Sequence, residues 1–273
     1  MMRLEIAIPV LNEETTLERN VLAARAAIDR LFEDAGAVGL VIADNGSTDG
    51  TQAVALRLRE AVPGLRYLRL PRPGVGAALK QSWLSSEAEI VGYMDLDLAT
   101  DIRHLPEAFA AIESGAAVCY GTRLHPSSRV IGRKIRRTVV SHAFNMVLRG
   151  YLGARFSDGM CGFKFLRRAV LPALMARGAV SDGWFFSTEL LLAAERLGLP
   201  VAELPVYWTD DPDSRVRMVR LTLQYLRAMR VFGARDRVLA FDAEQALPGR
   251  GNCDVREKRP VGATEDRQLV TSD

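Results

Sequence analysis

Ile90-Val91-Gly92-Tyr93-Met94-Asp95-Leu96-Asp97-Leu98-Ala99-Thr100-Asp101 joins five apolar residues to a polar, acid-rich turn. A short apolar run bounded by turn signals reads as a buried strand, so both carboxylates emerge where that strand ends, on the ligand-binding rim of an open α/β sheet. Two hard oxygen ligands one residue apart suit Mg²⁺ or Mn²⁺, a cation able to neutralise a departing diphosphate. Asp95 and Asp97 are therefore the candidate metal ligands, although an Asp-x-Asp on its own is also an ordinary solvated turn.

Outward from this stretch, strand-like runs alternate with helix-like ones, the pattern of a mostly parallel sheet flanked by helices. Strands are expected at 4–10, 40–43, 65–70, 90–94, 117–121, 162–166 and 201–207, and helices at 14–32, 51–61, 75–86, 105–114, 134–152, 168–177, 186–197 and 216–232. At 273 residues and 48% hydrophobic the chain suits one large α/β domain, expected over residues 1–235. Periodicity fades from about residue 242, and residues 236–273 are expected to form a disordered tail. Cys119, Cys161 and Cys253 show no pairing or zinc spacing, which fits a reducing cytosol. No secretory leader is expected before the first strand, and the longest uncharged apolar-rich stretch, 138–148, is well short of the roughly 18 residues needed to cross a bilayer.

The net charge of +3 conceals a basic body. The stretch 123–157 holds eight Arg or Lys and no acid, and 214–235 is a second acid-free basic stretch. Such patches indicate phosphate, nucleic acid or anionic lipid, and charge alone does not choose among them.

Three more strand ends carry polar residues. After the first come Ile8-Pro9-Val10-Leu11-Asn12-Glu13-Glu14, where Asn12 or Glu13 can cap the next helix. After the second come Asp44-Asn45-Gly46-Ser47-Thr48-Asp49-Gly50-Thr51, either a plain turn or a place for Asp44 to accept hydrogen bonds from a nucleobase or ribose. After the third, Pro73-Gly74-Val75-Gly76 opens the helix bearing Lys80, which reads equally as a phosphate cradle or a tight turn.

Taken in order, IPVLNEE (8–14), ADNGSTDGT (43–51), PGVGAALK (73–80) and MDLDLATD (94–101) resemble the family-2 glycosyltransferases of the GT-A fold over roughly the first 235 residues. The resemblance implies a GT-A, Rossmann-like domain, with Pro9, Glu13 and Asp44 around the base and ribose of a nucleotide-sugar. It implies Asp95 and Asp97 holding Mg²⁺ or Mn²⁺ against the diphosphate. Further on, Ser157-Asp158-Gly159-Met160-Cys161-Gly162-Phe163-Lys164, Gly183–Leu190 and the segment 208–217 look like the polyprenyl (dolichyl) phosphate sugar synthases, the DxxCGFK pattern favouring their glucosyl branch. Many relatives carry Gln where this chain has Ala99, which leaves a third protein ligand open; Asp101 is the substitute considered.

A polyprenyl phosphate acceptor also explains the basic stretches. Its phosphate oxygen is ionised at neutral pH, so positioning and charge neutralisation matter more than a strong base. Arg123, Arg133, Arg215 and Arg217 are the candidate phosphate grips, and Asp158 and Glu189 the candidate bases or orienting acids; solvated arginines and structural acids are the plain alternatives. On a helical wheel Arg217, Arg220, Gln224, Arg227 and Arg230 lie opposite an arc of Met218, Val219, Leu223, Tyr225, Leu226, Met229 and Phe232. Helix 134–152 places 135, 139, 143, 144, 147 and 151 on one apolar side. Both helices suit either docking on a membrane surface or packing on the sheet. The expectation is a cytoplasmic enzyme, peripheral on the inner face of an anionic membrane. It transfers a hexose, glucose favoured, from a UDP- or GDP-sugar to polyprenyl phosphate with inversion and without nucleic acid as partner. Transfer to a soluble acceptor, an aspartyl-nucleophile phosphatase and a non-catalytic sugar-nucleotide or lipid module are the competing readings.

Overall fold

The computed structural model describes residues 2–133, 135–210 and 218–245. Seven strands build the central sheet: β1 Leu4–Val10, β2 Val38–Asp44, β3 Leu65–Arg69, β4 Ile90–Met94, β5 Val118–Thr122, β7 Phe163–Arg167 and β8 Val201–Pro205, in the order β3-β2-β1-β4-β7-β5-β8. All neighbours are parallel except at β7, which runs antiparallel between β4 and β5. This is the α/β, mostly parallel architecture that the alternating pattern predicts. A separate parallel pair, β6 Arg129–Ile131 with β9 Tyr207–Thr209, escapes that pattern. Each is three residues long, and the run expected at 201–207 breaks at Val206 into β8 and β9.

Every residue of β1 and of β4 is buried, as strands covered on both faces require. One face carries α1 Leu17–Leu31, α2 Thr51–Ala61 and α4 Leu105–Glu113 over Ile6, Ile8, Leu40 and Phe165. On α1 the buried positions Leu17, Val21, Ala24 and Ile28 keep helical spacing, and each large apolar side chain so buried contributes roughly 1.5–3 kcal/mol. The other face carries α5 Ile135–Leu152, α6 Leu171–Ala176, α7 Phe186–Arg196 and α8 Met218–Gln245 over Tyr93, Tyr120 and Leu166, while α3 Val75–Leu84 lays Leu79 and Trp83 against Val91. Gly92 in β4 is needed because a Cβ there would stand 2.1 Å from the Phe165 ring.

Helix α8 runs past both the expected helix end at 232 and the expected domain end at 235. Asp236 explains why: it forms an ion pair with Arg177 at 2.8 Å and accepts from Arg196 Nε at 2.9 Å, pinning the helix to the ends of α6 and α7. Residues 236–245 are therefore helical, and the rest of the expected tail, with Cys253, lies outside the described residues. Cys119 and Cys161 are free and buried. No helix among the described residues is long and apolar enough to cross a membrane.

Candidate active site

The carboxyl ends of β1, β2 and β4 meet at one rim, as parallel pairing in register demands. Asp95 follows β4 and is half-buried. Its backbone N–H donates to the Gly162 carbonyl at 3.2 Å, and a Cβ on Gly162 would stand 1.9 Å from its carboxylate. The glycine of the GFK segment thus clears space for the acid. Burial, and then the neighbouring charge of Asp97, push the Asp95 carboxyl up to about 7, against the opposing pull of Arg123 and Lys164. A carboxylate held this way gains from a cation. Asp97 accepts from the Ala99 N–H at 3.0 Å, and Leu98 between them has a left-handed φ of 52°. No cluster of three or more His, Cys, Asp or Glu able to hold a metal occurs among the described residues. Asp101, the substitute considered for a third ligand, is spent elsewhere: it caps the 3-10 turn Ile102–His104 and holds the Arg103 guanidinium at 2.5 to 3.0 Å. Two carboxylates and open coordination positions fit a divalent ion that shares its shell with a diphosphate and water.

Arg123 follows β5 and forms a fork on Asp158, Nε to Oδ2 at 2.8 Å and Nη2 to Oδ1 at 3.0 Å. Asp158 also accepts from the backbone N–H groups of Arg123 and Met160. Burial alone would raise this carboxyl; the Arg123 charge and hydrogen bonds overturn that and hold it at about 2. Asp158, a candidate base or orienting acid, is thus held in an ion pair with Arg123. Arg133 lies near Arg123, and the two guanidinium carbons stand 5.4 and 5.5 Å from the Trp208 ring centre. Burial first, and Arg123 second, pull the Arg133 guanidinium down to about 10. It donates to Ser141 at 2.5 Å, while its buried Nε has no hydrogen-bond partner among the described residues. Two cations crowded under one indole, one short of a partner, form a pocket suited to an anion. Arg215 and Arg217 lie outside the described residues.

Lys80 and Glu189 take other places. Lys80 donates to Asp182 at 2.7 Å and to the Val180 carbonyl at 2.5 Å. The first N–H groups of α3, from Gly76 and Ala77, are taken by the Asp182 carbonyl at 2.8 and 3.2 Å. A Cβ at Gly76 would stand 2.4 Å from the Ser181 carbonyl. The PGVG glycine, which reads equally as a phosphate cradle or a tight turn, admits the segment 181–183, and Lys80 anchors that segment. Glu189, expected as a base, accepts from Val180 and Ser181 N–H at 2.9 and 2.8 Å and from the Ser181 hydroxyl at 2.5 Å. Burial raises it, and these bonds counter the rise. It closes the other side of the same segment.

At the ends of β1 and β2, buried Asp44 accepts from Ser47 N–H and the Tyr67 hydroxyl, both at 2.8 Å. Pro9 lies beside it in register with Ala43, and Glu13 holds Thr51 and Thr16 across the β1 turn. The turn expected after β2 is present, but neither Asn12 nor Glu13 caps α1: its N-cap is Thr16, with no side-chain capping bond, and Asn12 instead accepts from the Thr48 N–H at 2.8 Å.

Sequence reading missed Lys164, Ser141, Asn145 and the use of Trp208. Lys164 is fully buried, donates to the Gly159 and Cys161 carbonyls at 3.2 and 2.6 Å, and is brought by burial down to about 8. Asn145 accepts from Gly159 N–H at 3.0 Å. A lysine inside the apolar run Gly162-Phe163-Lys164-Phe165-Leu166, and polar residues four apart on α5, were the available signals.

The glycosyl transferase family 2 profile matches residues 5–174. Glycosyltransferase AglD of Haloferax volcanii is 36% identical over 79% of this chain, which spans about a third (34%) of its length. Dolichyl-phosphate beta-glucosyltransferase of Drosophila melanogaster is 27% identical over 79% of this chain and 69% of its own. A crystal structure of glucosyl-3-phosphoglycerate synthase from Mycobacterium tuberculosis, in complex with Mn²⁺, UDP and glucosyl-3-phosphoglycerate, superposes with a TM-score of 0.62 over 85% of this chain and 80% of that one, at 22% identity.

Proposed function

The chain belongs to glycosyl transferase family 2, and from that premise we propose that it transfers a hexose, glucose by preference, from a nucleoside diphosphate sugar to a polyprenyl phosphate. The observation that carries this reading is the juxtaposition of Asp95, whose carboxyl is raised by burial and by the Asp97 charge, with Arg133, whose buried Nε has no hydrogen-bond partner among the described residues. The dolichyl-phosphate relatives support the acceptor and the sugar, and the Mn²⁺ and UDP bound to the structural neighbour support a divalent ion and a UDP- or GDP-sugar.

Asp95 and Asp97 would hold Mg²⁺ or Mn²⁺, which supplies charge neutralisation for the diphosphate as it departs. Pro9, Glu13 and Asp44 line the nucleotide end. Arg133 and Arg123 grip the acceptor phosphate beneath Trp208, so that one of its ionised oxygens faces the anomeric carbon. With the nucleophile already ionised, no protein base is required, consistent with Asp158 and Glu189 being fully hydrogen-bonded. Attack opposite the leaving group inverts the anomeric centre.

The lipid reaches this site from a membrane surface. Ile135, Val139 and Met146 on α5 are 81%, 60% and 65% exposed, while Ser141, Phe144, Asn145 and Leu148 face inward. Arg136 and Arg149 flank the exposed stripe, an arrangement suited to anionic headgroups and a shallow apolar layer. The arc expected on α8 divides differently: Tyr225, Met229 and Phe232 pack inward, while Arg227 and Arg230 face outward. The exposed stripe on α5 supports attachment through this helix, which we propose lies at the inner face of an anionic membrane.

Thermal-shift titration with UDP- and GDP-hexoses in Mn²⁺, followed by transfer assays on a short polyprenyl phosphate and on 3-phosphoglycerate, tests the proposal. Stabilisation by a nucleotide sugar with transfer to the prenyl phosphate is expected. Transfer only to the soluble acid would remove the lipid acceptor, and no stabilisation by any sugar nucleotide would remove the reading altogether. Pelleting with anionic liposomes in low salt and release in high salt are expected for α5 docking; indifference to both would refute it.

A further inference from the structure

The two halves of the site are joined by backbone. Three residues beyond Asp97, Thr100 bridges Trp208 in antiparallel fashion. On either side of that bridge Asp101 N–H donates to the Tyr207 carbonyl at 2.9 Å and Thr209 N–H to the Ala99 carbonyl at 2.8 Å. The metal loop is therefore tied to β9 by an isolated bridge, and Trp208, which roofs Arg123 and Arg133, sits at its centre. The last rung is supplied by a side chain: Tyr207 N–H donates to His104 Nε2 at 3.0 Å. A backbone N–H can only donate, so His104 presents Nε2 as acceptor and carries its proton on Nδ1, facing Glu107 Oε2 at 3.3 Å. Its ring also meets the Tyr207 ring edge-on at 5.3 Å. One imidazole thus fastens the start of β9 to the turn that follows the metal loop.

We propose that His104 is a positioning residue that makes the metal loop and the arginine pocket one mechanical unit, so that a cation at Asp95–Asp97 tightens phosphate binding at Arg123–Arg133, and the reverse. The inference rests on the functional reading of those two subsites. Through-space attraction between a bound cation and a phosphate also couples them, and that part survives any change at His104. The mechanical part does not. In His104→Phe the ring and its packing on Tyr207 persist while the acceptor is lost; in His104→Gln the side-chain carbonyl restores an acceptor.

The test measures the dissociation constant of geranyl phosphate with and without saturating Mn²⁺ by calorimetry on the full chain. In the unmodified protein Mn²⁺ is expected to tighten geranyl phosphate by about tenfold; the factor is expected to fall to about twofold in His104→Phe and to recover in His104→Gln. Thr209→Pro, which deletes the neighbouring rung without touching His104, is expected to show the same loss and serves if the Phe variant folds poorly. An undiminished factor in His104→Phe or Thr209→Pro, or no recovery in His104→Gln, overturns the proposal. Coupling lost and regained as described, with no hexose transfer from any sugar nucleotide, would keep this proposal and remove only the transferase reading.

Discussion

Asp95 and Asp158 are aspartates that both feel the charge of Arg123, the first half-buried and the second fully buried, and the fold treats them oppositely. Asp158 receives a guanidinium fork and two backbone N–H groups and is held at about 2. Asp95 has Asp97 beside it and is pushed up to about 7. The arginines divide the same way, Arg123 saturated by Asp158 and Arg133 left with an unpartnered Nε. Burial of charge therefore does not mark a site. A site is marked where the protein's own atoms disfavour the charge and a ligand must complete it.

The sharpest way to break this contrast is to neutralise each acid in turn. Asp97→Ala is expected to lower the transfer rate at saturating Mn²⁺ by at least about a thousandfold, roughly 4 kcal/mol of barrier, while the melting temperature moves by no more than about 2 °C. Full activity of that variant in excess EDTA would remove the metal role. Asp158→Asn is expected to do the reverse. Stranding the buried Arg123 costs about 3–5 kcal/mol of stability, read as a lower urea midpoint. A variant that keeps its midpoint but loses all turnover would restore Asp158 as a base.

The fold was legible where one residue type fixes one outcome. Short apolar runs ending in acids located β2 and β4, and Arg123 after β5 was found in the same way. Partners were not legible where they lie remote in sequence. Lys80 and the α3 N–H groups bond residues 180 and 182, about a hundred positions on, so the packing of this glycine-rich helix start, which reads equally as a phosphate cradle or a tight turn, was not legible locally. The length of α8 depends on Arg177 and Arg196 meeting Asp236, which no helical periodicity encodes. The inward turn of Tyr225 follows from its edge-on contacts with Phe144 at 5.0 Å and Phe185 at 5.6 Å.

Titration sharpens the contrast further. The Asp95 carboxyl is raised in the folded chain, so between its ordinary value near 4 and about 7 the native state binds more protons than the unfolded one. Stability contributed by this protonated form is full below the ordinary value and is lost as pH rises through about 7. Without metal, the melting temperature is therefore expected to decline across that window, and Asp95→Asn is expected to flatten the decline. Mn²⁺ requires the ionised form, so its affinity is expected to weaken about tenfold for each pH unit below 7. Calorimetric titrations at pH 5.5, 6.5 and 7.5 measure this, and a pH-independent affinity would place the cation elsewhere.

The smallest effect is expected where the protein has already answered its own charge. Lys80 spends its ammonium on Asp182 and the Val180 carbonyl, and Asp182 is largely exposed. An ion pair with one solvated partner contributes at most about 1 kcal/mol, which in a domain of this size corresponds to a melting shift of roughly 2–4 °C. Lys80→Met, whose chain still covers the Phe186 ring over which the ammonium now lies at 5.6 Å, is expected to show that shift and to leave the donor KM within about twofold. A diphosphate gripped by Lys80 would instead raise donor KM by an order of magnitude or more with little change in melting, because the lost charge would have been answered by substrate. That outcome would put the α3 glycines back among the donor contacts and erase the distinction between the charges this fold satisfies and those it leaves to a ligand.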